Sequence, residues 1–238
     1  MIGAGKTDVG VVRSVNQDRF AVREELGLAI LADGMGGAKD GDVAAEMAVE
    51  ATIEHLGEVI RERPVEADDL RAAATLANRR VYDYASEDPS RFGMGTTLVI
   101  VVFNGQRALV GNLGDSRCYL FTKGILVQVT NDHSVVQKLL DSGEISFAEA
   151  RNHPERHVLS TAIGVEPRVQ MDVSTLYLND DERLMMCSDG LSDLVDDKQI
   201  AMNLRAWGSN AERGVERLVD AAKAAGGRDN VTVVLVGP

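Results

Sequence analysis

Four aspartates stand where strand-like runs of the sequence end, each beside glycine, serine or asparagine. They are Asp33, Asp115, Asp189 and Asp229. Strand ends can converge in space, although any one of these aspartates taken alone is more typical of a turn or a helix cap. Carboxylates gathered at the edge of an apolar sheet cannot all ionise at neutral pH without a cation, because burial and like charge both raise their pKa. The pattern therefore predicts a divalent metal cluster.

The glycines that follow Asp33, in Asp33-Gly34-Met35-Gly36-Gly37, add a backbone argument. Glycine permits positive φ and a close approach of other groups, so the carbonyl oxygen of Gly34 could be a ligand beside the Asp33 carboxylate. The alternative interpretation is a flexible turn between a strand and a helix.

Arg13 and Asp18 lie just before a predicted strand, in Arg13-Ser14-Val15-Asn16-Gln17-Asp18. The guanidinium fork of an arginine can bind two oxygens of a phosphoryl group at once, which a lysine cannot do in that geometry. This segment therefore supplies a candidate phosphate-binding group and a further acid. The alternative is an arginine on the surface with no role in the chemistry.

Other patterns exclude several kinds of site. Gly5-Lys6-Thr7 lacks the earlier glycine and the preceding strand of a P-loop. Cys118 and Cys187 have no arginine six positions later, which argues against a phosphatase with a cysteine nucleophile. His153 and His157 have helical i, i+4 spacing, but a proline between them favours a structural or surface-flap role over metal ligation. Any metal is therefore expected to be a hard ion bound by oxygen.

Composition places the chain among ordinary globular proteins. It has 238 residues, 45% hydrophobic and 26% charged, which predicts one domain with a core large enough to need no disulfides. The net charge of -12 argues against a nucleic-acid partner. The longest apolar run, Leu98 to Phe103, is far too short to span a bilayer, and no signal peptide is evident. Two cysteines 69 positions apart make no disulfide framework, so a cytoplasmic location is expected.

The hydrophobic periodicity predicts the elements that must position these residues. Two long helices, Asp42–Arg61 and Asp68–Ala85, are expected to pack as an antiparallel pair. Four strands from Thr97 to Val129 are predicted to form one antiparallel meander. A polar segment, 132–167, is predicted to be an excursion over the surface. The remaining predictions are strands at Arg19–Arg23, Leu28–Ala32, Val169–Leu178, Arg183–Cys187 and Asn230–Val236, and helices at Lys198–Trp207 and Ala211–Ala225.

Several short segments, individually unspecific, form a specific series through their order and spacing. With them, the chain resembles the metal-dependent protein serine/threonine phosphatases of type 2C, in their compact bacterial form, over nearly its whole length. The resemblance implies an α+β fold: a four-layer α-β-β-α sandwich of two antiparallel sheets flanked by helix pairs, in a single catalytic domain over residues 1–238. The segments are Thr7-Asp8-Val9-Gly10, Arg13-Ser14-Val15-Asn16-Gln17-Asp18, Asp33-Gly34-Met35-Gly36-Gly37, Gly95-Thr96-Thr97, Gly114-Asp115-Ser116-Arg117, Asp132-His133-Ser134, Ser188-Asp189-Gly190 and Arg228-Asp229-Asn230.

The resemblance also implies a role for each site residue. Asp33 would bridge two Mn²⁺ or Mg²⁺ ions, the Gly34 carbonyl would bind one of them, and Asp189 and Asp229 would hold the other. Arg13 would bind the substrate phosphate. The remaining implied roles are those of Asp115, with Asp189 and Asp193, at a third and weaker ion, and of Asp18 at a metal-coordinated water.

The implied reaction is hydrolysis of phosphoserine and phosphothreonine in proteins, by water activated between two ions, in opposition to serine/threonine kinases. Some relatives carry histidine where Met35 stands, and methionine cannot donate a proton to the leaving alcohol.

Segment 132–167 resembles the family's flap. A monomer with no nucleic-acid or membrane partner is expected. Two alternatives are a catalytically silent binding module and a phosphatase acting on an anti-sigma-factor antagonist.

Overall fold

Residues 1–36, 40–150, 153–207 and 210–238 are described by the computed structural model of the chain. Runs of strands and runs of helices follow one another through these residues, and each paired strand runs antiparallel to its neighbours. The strands are β1 (Ile2–Asp8), β2 (Asp18–Arg23), β3 (Leu28–Met35), β4 (Gly95–Thr96), β5 (Leu98–Asn104), β6 (Arg107–Leu113), β7 (Arg117–Thr122), β8 (Ile125–Gln128), β9 (Asp172–Tyr177), β10 (Arg183–Cys187) and β11 (Val231–Gly237). The α-helices are α1 (Gly41–Glu62), α2 (Ala67–Ser86), α3 (Val135–Asp141), α4 (Phe147–Ala150), α5 (Asp189–Ser192), α6 (Asp197–Trp207) and α7 (Ala211–Ala224).

The strands form two sheets. One has the order β1-β11-β10-β7-β8, and the other has the order β2-β3-β5-β6-β9 with β4 paired to β3. Residues of β3 that alternate along the strand enter different cores: Ile30 packs in the core that includes residues of α1 and α2, whereas Leu31 packs between the sheets. This division follows from side chains pointing alternately to the two faces of a strand.

A third core lies under the other helix pair. Leu218 of α7 and Ile200 of α6 pack with Val233 of β11 on the outer face of the first sheet. The molecule therefore consists of four layers, helices on each outside and two sheets between them, which confirms the predicted fold class. Among the described residues, none of the helices combines the length and the low polarity needed to cross a bilayer.

The sequence-based elements differ from the structure in two instructive places. The prediction of one meander is wrong, because β6 pairs with β5 and β9 in one sheet while β7 pairs with β8 and β10 in the other. The chain changes sheets at Gly114, whose φ of 110° belongs to a conformation that favours glycine. Strand β1 was not predicted, because its two glycines lower its strand propensity. A Cβ atom at Gly5 would overlap the ring of Phe20, so glycine is needed there for packing against β2.

Candidate active site

Asp33 lies near the end of β3, and its backbone is held on both sides. Its N–H donates to Thr97 Oγ1 at 2.9 Å, while its carbonyl oxygen accepts from Thr97 N at 2.9 Å and from Thr96 Oγ1 at 2.9 Å. These bonds fix the position from which the carboxylate projects. Thr96 and Thr97 were recognised in the sequence as part of a motif, and the structure adds this positioning role.

Asp18 is the cross-strand partner of Asp33 and is buried beneath it. Its Oδ2 accepts hydrogen bonds from Ser188 Oγ at 2.8 Å and from Thr232 Oγ1 at 2.6 Å. Its Oδ1 is buried and receives no hydrogen bond from an N–H or hydroxyl group of the described residues, while the neighbouring Asp33 carboxyl is close enough to share a proton with the Asp18 carboxyl. Burial raises the pKa of Asp18 to about 6. A buried carboxylate oxygen without such a donor can accept a hydrogen bond from a water or ligand in the site.

Asp33, Asp115 and Asp189 come from three separate parts of the chain and act on one another electrostatically. Burial raises the pKa of Asp33 and of Asp189 well above the ordinary value, and the neighbouring aspartates raise both further. Burial, followed by the charge of Asp132, raises the pKa of Asp115 to about 7. The strand-end acids predicted to converge therefore do converge.

Arg13 reaches the same cluster from the loop between β1 and β2. Its Nη2 donates to Asp229 Oδ2 at 2.7 Å, and this bond raises the pKa of the guanidinium, with further contributions from the charges of Asp189 and Asp33. Half of the Arg13 side chain is exposed, so the remaining N–H groups of its fork are open to solvent and to a ligand.

Asn230 ties the Arg13 loop to the carboxylates. Its Nδ2 donates to the carbonyl oxygens of Val9 at 3.0 Å and Val15 at 2.9 Å, and its Oδ1 accepts from Gln17 N at 2.8 Å. Because Asn230 directly follows Asp229, one residue fixes the spacing between a carboxylate and the arginine loop. The sequence marked Asn230 only as the end of a motif.

Two glycines permit the close approach of backbone that the site requires. A Cβ atom at Gly34 would overlap the carbonyl oxygens of Gly41 and Gln17, so β3 and the start of α1 can meet only without a side chain there. A Cβ atom at Gly190 would overlap the carbonyl oxygen of Asn230, so α5 can approach β11 and bring its acid to the cluster. Gly37, the last residue of that glycine-rich motif, lies outside the described residues.

Asp193 lies at the edge of the site and meets a histidine from the segment predicted to be a flap. His157 Nδ1 lies 3.4 Å from Asp193 Oδ2, and one ligand atom each from His157, Asp189 and Asp193 fall within 4.8 Å of one another. Asp33 and Asp229 are not in that close group. No spacing rule in the sequence connects residues 157 and 193, so only the fold reveals this contact.

His133 supports the turn that carries Asp115. Its Nδ1 accepts a hydrogen bond from Gly114 N at 3.3 Å, and its Nε2 lies 3.0 Å from Asp172 Oδ2. If Nδ1 accepts, the proton is on Nε2 and is donated to Asp172. The sequence placed His133 in a family motif, and the structure gives it a positioning role.

The donor set fits hard divalent cations. Carboxylate oxygens dominate it, several of them have raised pKa values in the absence of a cation, and one oxygen of Asp18 receives no hydrogen bond from an N–H or hydroxyl group of the described residues. Because Asp33 and Asp229 fall outside the close group of His157, Asp189 and Asp193, the carboxylates would suit more than one ion. Such a site, with Arg13 at its rim, has the parts needed to bind a phosphoryl group and to activate water beside it.

Comparisons with known proteins agree with this geometry. A family model described as "Protein phosphatase 2C" matches residues 10–223. The serine/threonine phosphatase stp of Listeria monocytogenes is 36% identical over 97% of this chain and 93% of its own length. A crystal structure of the serine/threonine phosphatase PstP of Mycobacterium tuberculosis superposes with a TM-score of 0.86 at 35% identity, covering 98% of this chain and 97% of that one. Another PstP structure, of the catalytic domain with two manganese ions, has a TM-score of 0.85 at 34% identity, covering 98% of this chain and 96% of that one.

Proposed function

This chain belongs to the protein phosphatase 2C family and is a metal-dependent serine/threonine phosphatase, and we propose the role of each residue in its site. Asp33, the Gly34 carbonyl, Asp189 and Asp229 hold two divalent cations, Mn²⁺ or Mg²⁺. When bound, these ions supply Lewis acidity at the phosphoryl oxygens and lower the pKa of water. The hydrogen bond of half-exposed Arg13 to Asp229, in a cluster where the charges of Asp33 and Asp189 also act on the guanidinium, is the observation that carries this proposal.

Arg13 anchors the substrate phosphate. Its hydrogen bond to Asp229 orients the guanidinium, and the half-exposed side chain presents its remaining N–H groups to two phosphoryl oxygens. Asp18 has a different role, because it is buried and already bound by two hydroxyl groups. Its Oδ1 accepts a hydrogen bond from water in the site and thereby orients that water.

Asp115 and Asp193, together with Asp189, form a further and weaker cation position at the edge of the site. The support is that the charge of Asp193 contributes to the raised pKa of both Asp115 and Asp189. We propose that segment 132–167 serves as a flap beside this position. Its contact through His157 with Asp193, and the backbone pairing of Thr96 with Ile163, connect it to the site.

The substrates are phosphorylated proteins, and we propose that the enzyme opposes serine/threonine kinases as a cytoplasmic monomer. The roles proposed above use residues of one chain, which is consistent with a monomer. Cys118 and Cys187 are free and buried in different cores, which fits a reducing compartment.

A metal titration combined with a phosphatase assay tests the site assignment. Metal-free protein is titrated with Mn²⁺ by calorimetry, and hydrolysis of a phosphothreonine peptide is followed at each step. We expect at least two bound ions and activity that rises with their binding, and Asp229→Asn should lose both. Asp68→Asn, at an almost fully exposed carboxylate on α2, is the matched control and should change neither. Full activity in excess chelator would overturn the proposal.

A further inference from the structure

Three valines of the loop between β1 and β2 are exposed around the phosphate-binding arginine. Val11, Val12 and Val15 are 65%, 69% and 54% exposed, and Arg13 lies between them in the sequence. Single exposed apolar residues are common on protein surfaces and require no explanation. Three within five positions, on both sides of the residue proposed to anchor the substrate phosphate, make this loop an exposed apolar segment next to the site.

The exposure of these valines does not come from a loosely attached loop. Val11 N donates to Gly227 O at 2.8 Å, and Asn230 binds the carbonyl oxygens of Val9 and Val15. Hydrogen bonds thus hold the loop on both sides of Arg13. The backbone that carries these valines is therefore held at Val11 and Val15, which lowers the entropic cost of binding a partner there.

Apart from Arg13 and the exposed Ser14, the loop offers a partner mainly apolar contact. Arg13 is the only charged residue between Val9 and Gln17. The Asn16 side-chain amide already donates to Thr7 Oγ1 at 2.8 Å. The residues that flank a phosphorylated side chain in an extended segment follow at about 3.3 Å each, so they reach the surface next to the anchored phosphate. A polar or charged flanking residue would lose water at the valines without gaining a hydrogen bond there.

We propose that Val11, Val12 and Val15 form an apolar rim that binds the residues flanking the phosphorylated side chain. The enzyme therefore selects phosphoproteins that carry apolar residues beside the phosphoserine or phosphothreonine. This inference rests on the proposed function, because it takes Arg13 as the phosphate anchor. The rim is continuous with that anchor through the backbone, which identifies the substrate segment as its occupant.

Peptide selectivity tests the rim directly. Two phosphothreonine peptides are compared, identical except that the residues on either side of the phosphothreonine are leucine in one and glutamine in the other. With Mn²⁺ present, we expect the wild-type protein to have a kcat/KM about tenfold higher for the leucine peptide. In the double variant Val12→Ser, Val15→Ser this ratio should fall to about twofold or less. Because the measured quantity is a ratio within one preparation, loss of active protein cancels.

A matched control is Val127→Ser on β8, where the valine is also exposed but lies outside the Arg13 loop. It should keep the wild-type ratio. Hydrolysis of p-nitrophenyl phosphate, which has no flanking residues, reports on the central chemistry alone. Turnover of this small substrate with no peptide preference, or a preference that survives in the double variant, would overturn the rim and leave the proposed function intact.

Absence of turnover for all three substrates in Mn²⁺ would instead contradict the proposed function. Sedimentation of the wild-type protein and of the double variant tests whether a second copy of the chain binds to the valines instead. A dimer that dissociates in the double variant, with unchanged peptide preference, would assign the valines to self-association and overturn the inference.

Discussion

Carboxylates at the two ends of the second sheet have pKa values shifted in opposite directions. At the end away from the site, Asp69 accepts two hydrogen bonds from Arg63, at 2.8 and 2.7 Å, and Glu66 accepts two from Arg107, at 3.1 and 2.7 Å. These bonds lower the pKa of Asp69 and of Glu66. At the other end, burial raises the pKa of Asp33, and neighbouring aspartates raise it further.

This difference separates carboxylates whose charge stabilises the fold from carboxylates whose charge is stabilised only when a cation binds. A paired carboxylate is ionised at neutral pH at no cost to the folded state, whereas a crowded one destabilises that state until a cation arrives. The direction of the pKa change thus identifies the functional end of the molecule.

Asp33→Asn should have the largest effect. The substitution keeps the shape of the side chain but removes a charged ligand, so kcat/KM for p-nitrophenyl phosphate with Mn²⁺ should fall by on the order of 10³-fold. In metal-free protein at pH 7 the same change removes an acid whose ionisation is disfavoured by burial and by neighbouring charges, so the melting temperature should rise by about 2–4 °C. Calorimetry measures the second effect. Activity within tenfold of wild type would remove Asp33 from the metal site.

Arg13→Lys should have the next largest effect on activity. Lysine keeps the charge but loses the fork, so it can hold neither two phosphoryl oxygens nor the present geometry with Asp229. We expect kcat/KM to fall about 10- to 100-fold, together with weaker inhibition by inorganic phosphate. Arg71→Lys, on the exposed face of α2, is the matched control. Unchanged phosphate inhibition in Arg13→Lys would show that the arginine does not anchor the phosphate.

Some parts of this fold and site could be predicted from the sequence, and others could not. The buried run of β3 and the long amphipathic helices were predicted to within a few residues, because burial and period are local properties. The acids at strand ends were found for the same reason. The hydrogen bonds of Asp18 were not predicted, since Ser188 and Thr232 lie 170 and 214 residues away and no local pattern connects either of them with Asp18. The meander failed because sequence shows that β6 ends but not which sheet β7 joins.

Changing the pH in the presence and absence of metal tests the carboxylates at the end of the sheet that carries the site. The pKa values of Asp18, about 6, and Asp115, about 7, exceed the ordinary value of 3.8. At pH values between the ordinary pKa and these raised pKa values, the folded metal-free protein holds protons that the unfolded chain has lost. Its stability should therefore fall as pH rises from about 4 to 7. Metal binding requires the deprotonated acids, so stabilisation by Mn²⁺ should grow over the same interval.

Melting temperatures of dialysed, metal-free protein and of Mn²⁺-saturated protein at pH 5, 6 and 7 measure this effect. We expect the gap between the two to widen by several degrees from pH 5 to pH 7. A gap independent of pH would mean that these carboxyl groups are already ionised without metal, and would remove the electrostatic basis of the comparison.

Asp69→Asn should have the smallest effect, and its sign matters more than its size. Asparagine can still accept the hydrogen bond that Glu66 N donates to Asp69 Oδ2 at 2.8 Å, but it loses the charge that pairs with Arg63. The Arg63 side chain is half exposed, so water and salt already weaken this pair. We expect the melting temperature to fall by about 2 °C or less, with unchanged kcat/KM. The same substitution, aspartate to asparagine, should therefore lower the stability of metal-free protein at one end of the sheet and raise it at the other. Equal signs at Asp33 and Asp69 would mean that crowding does not distinguish the two ends, and that the acids near Asp33 are held by contacts other than those described.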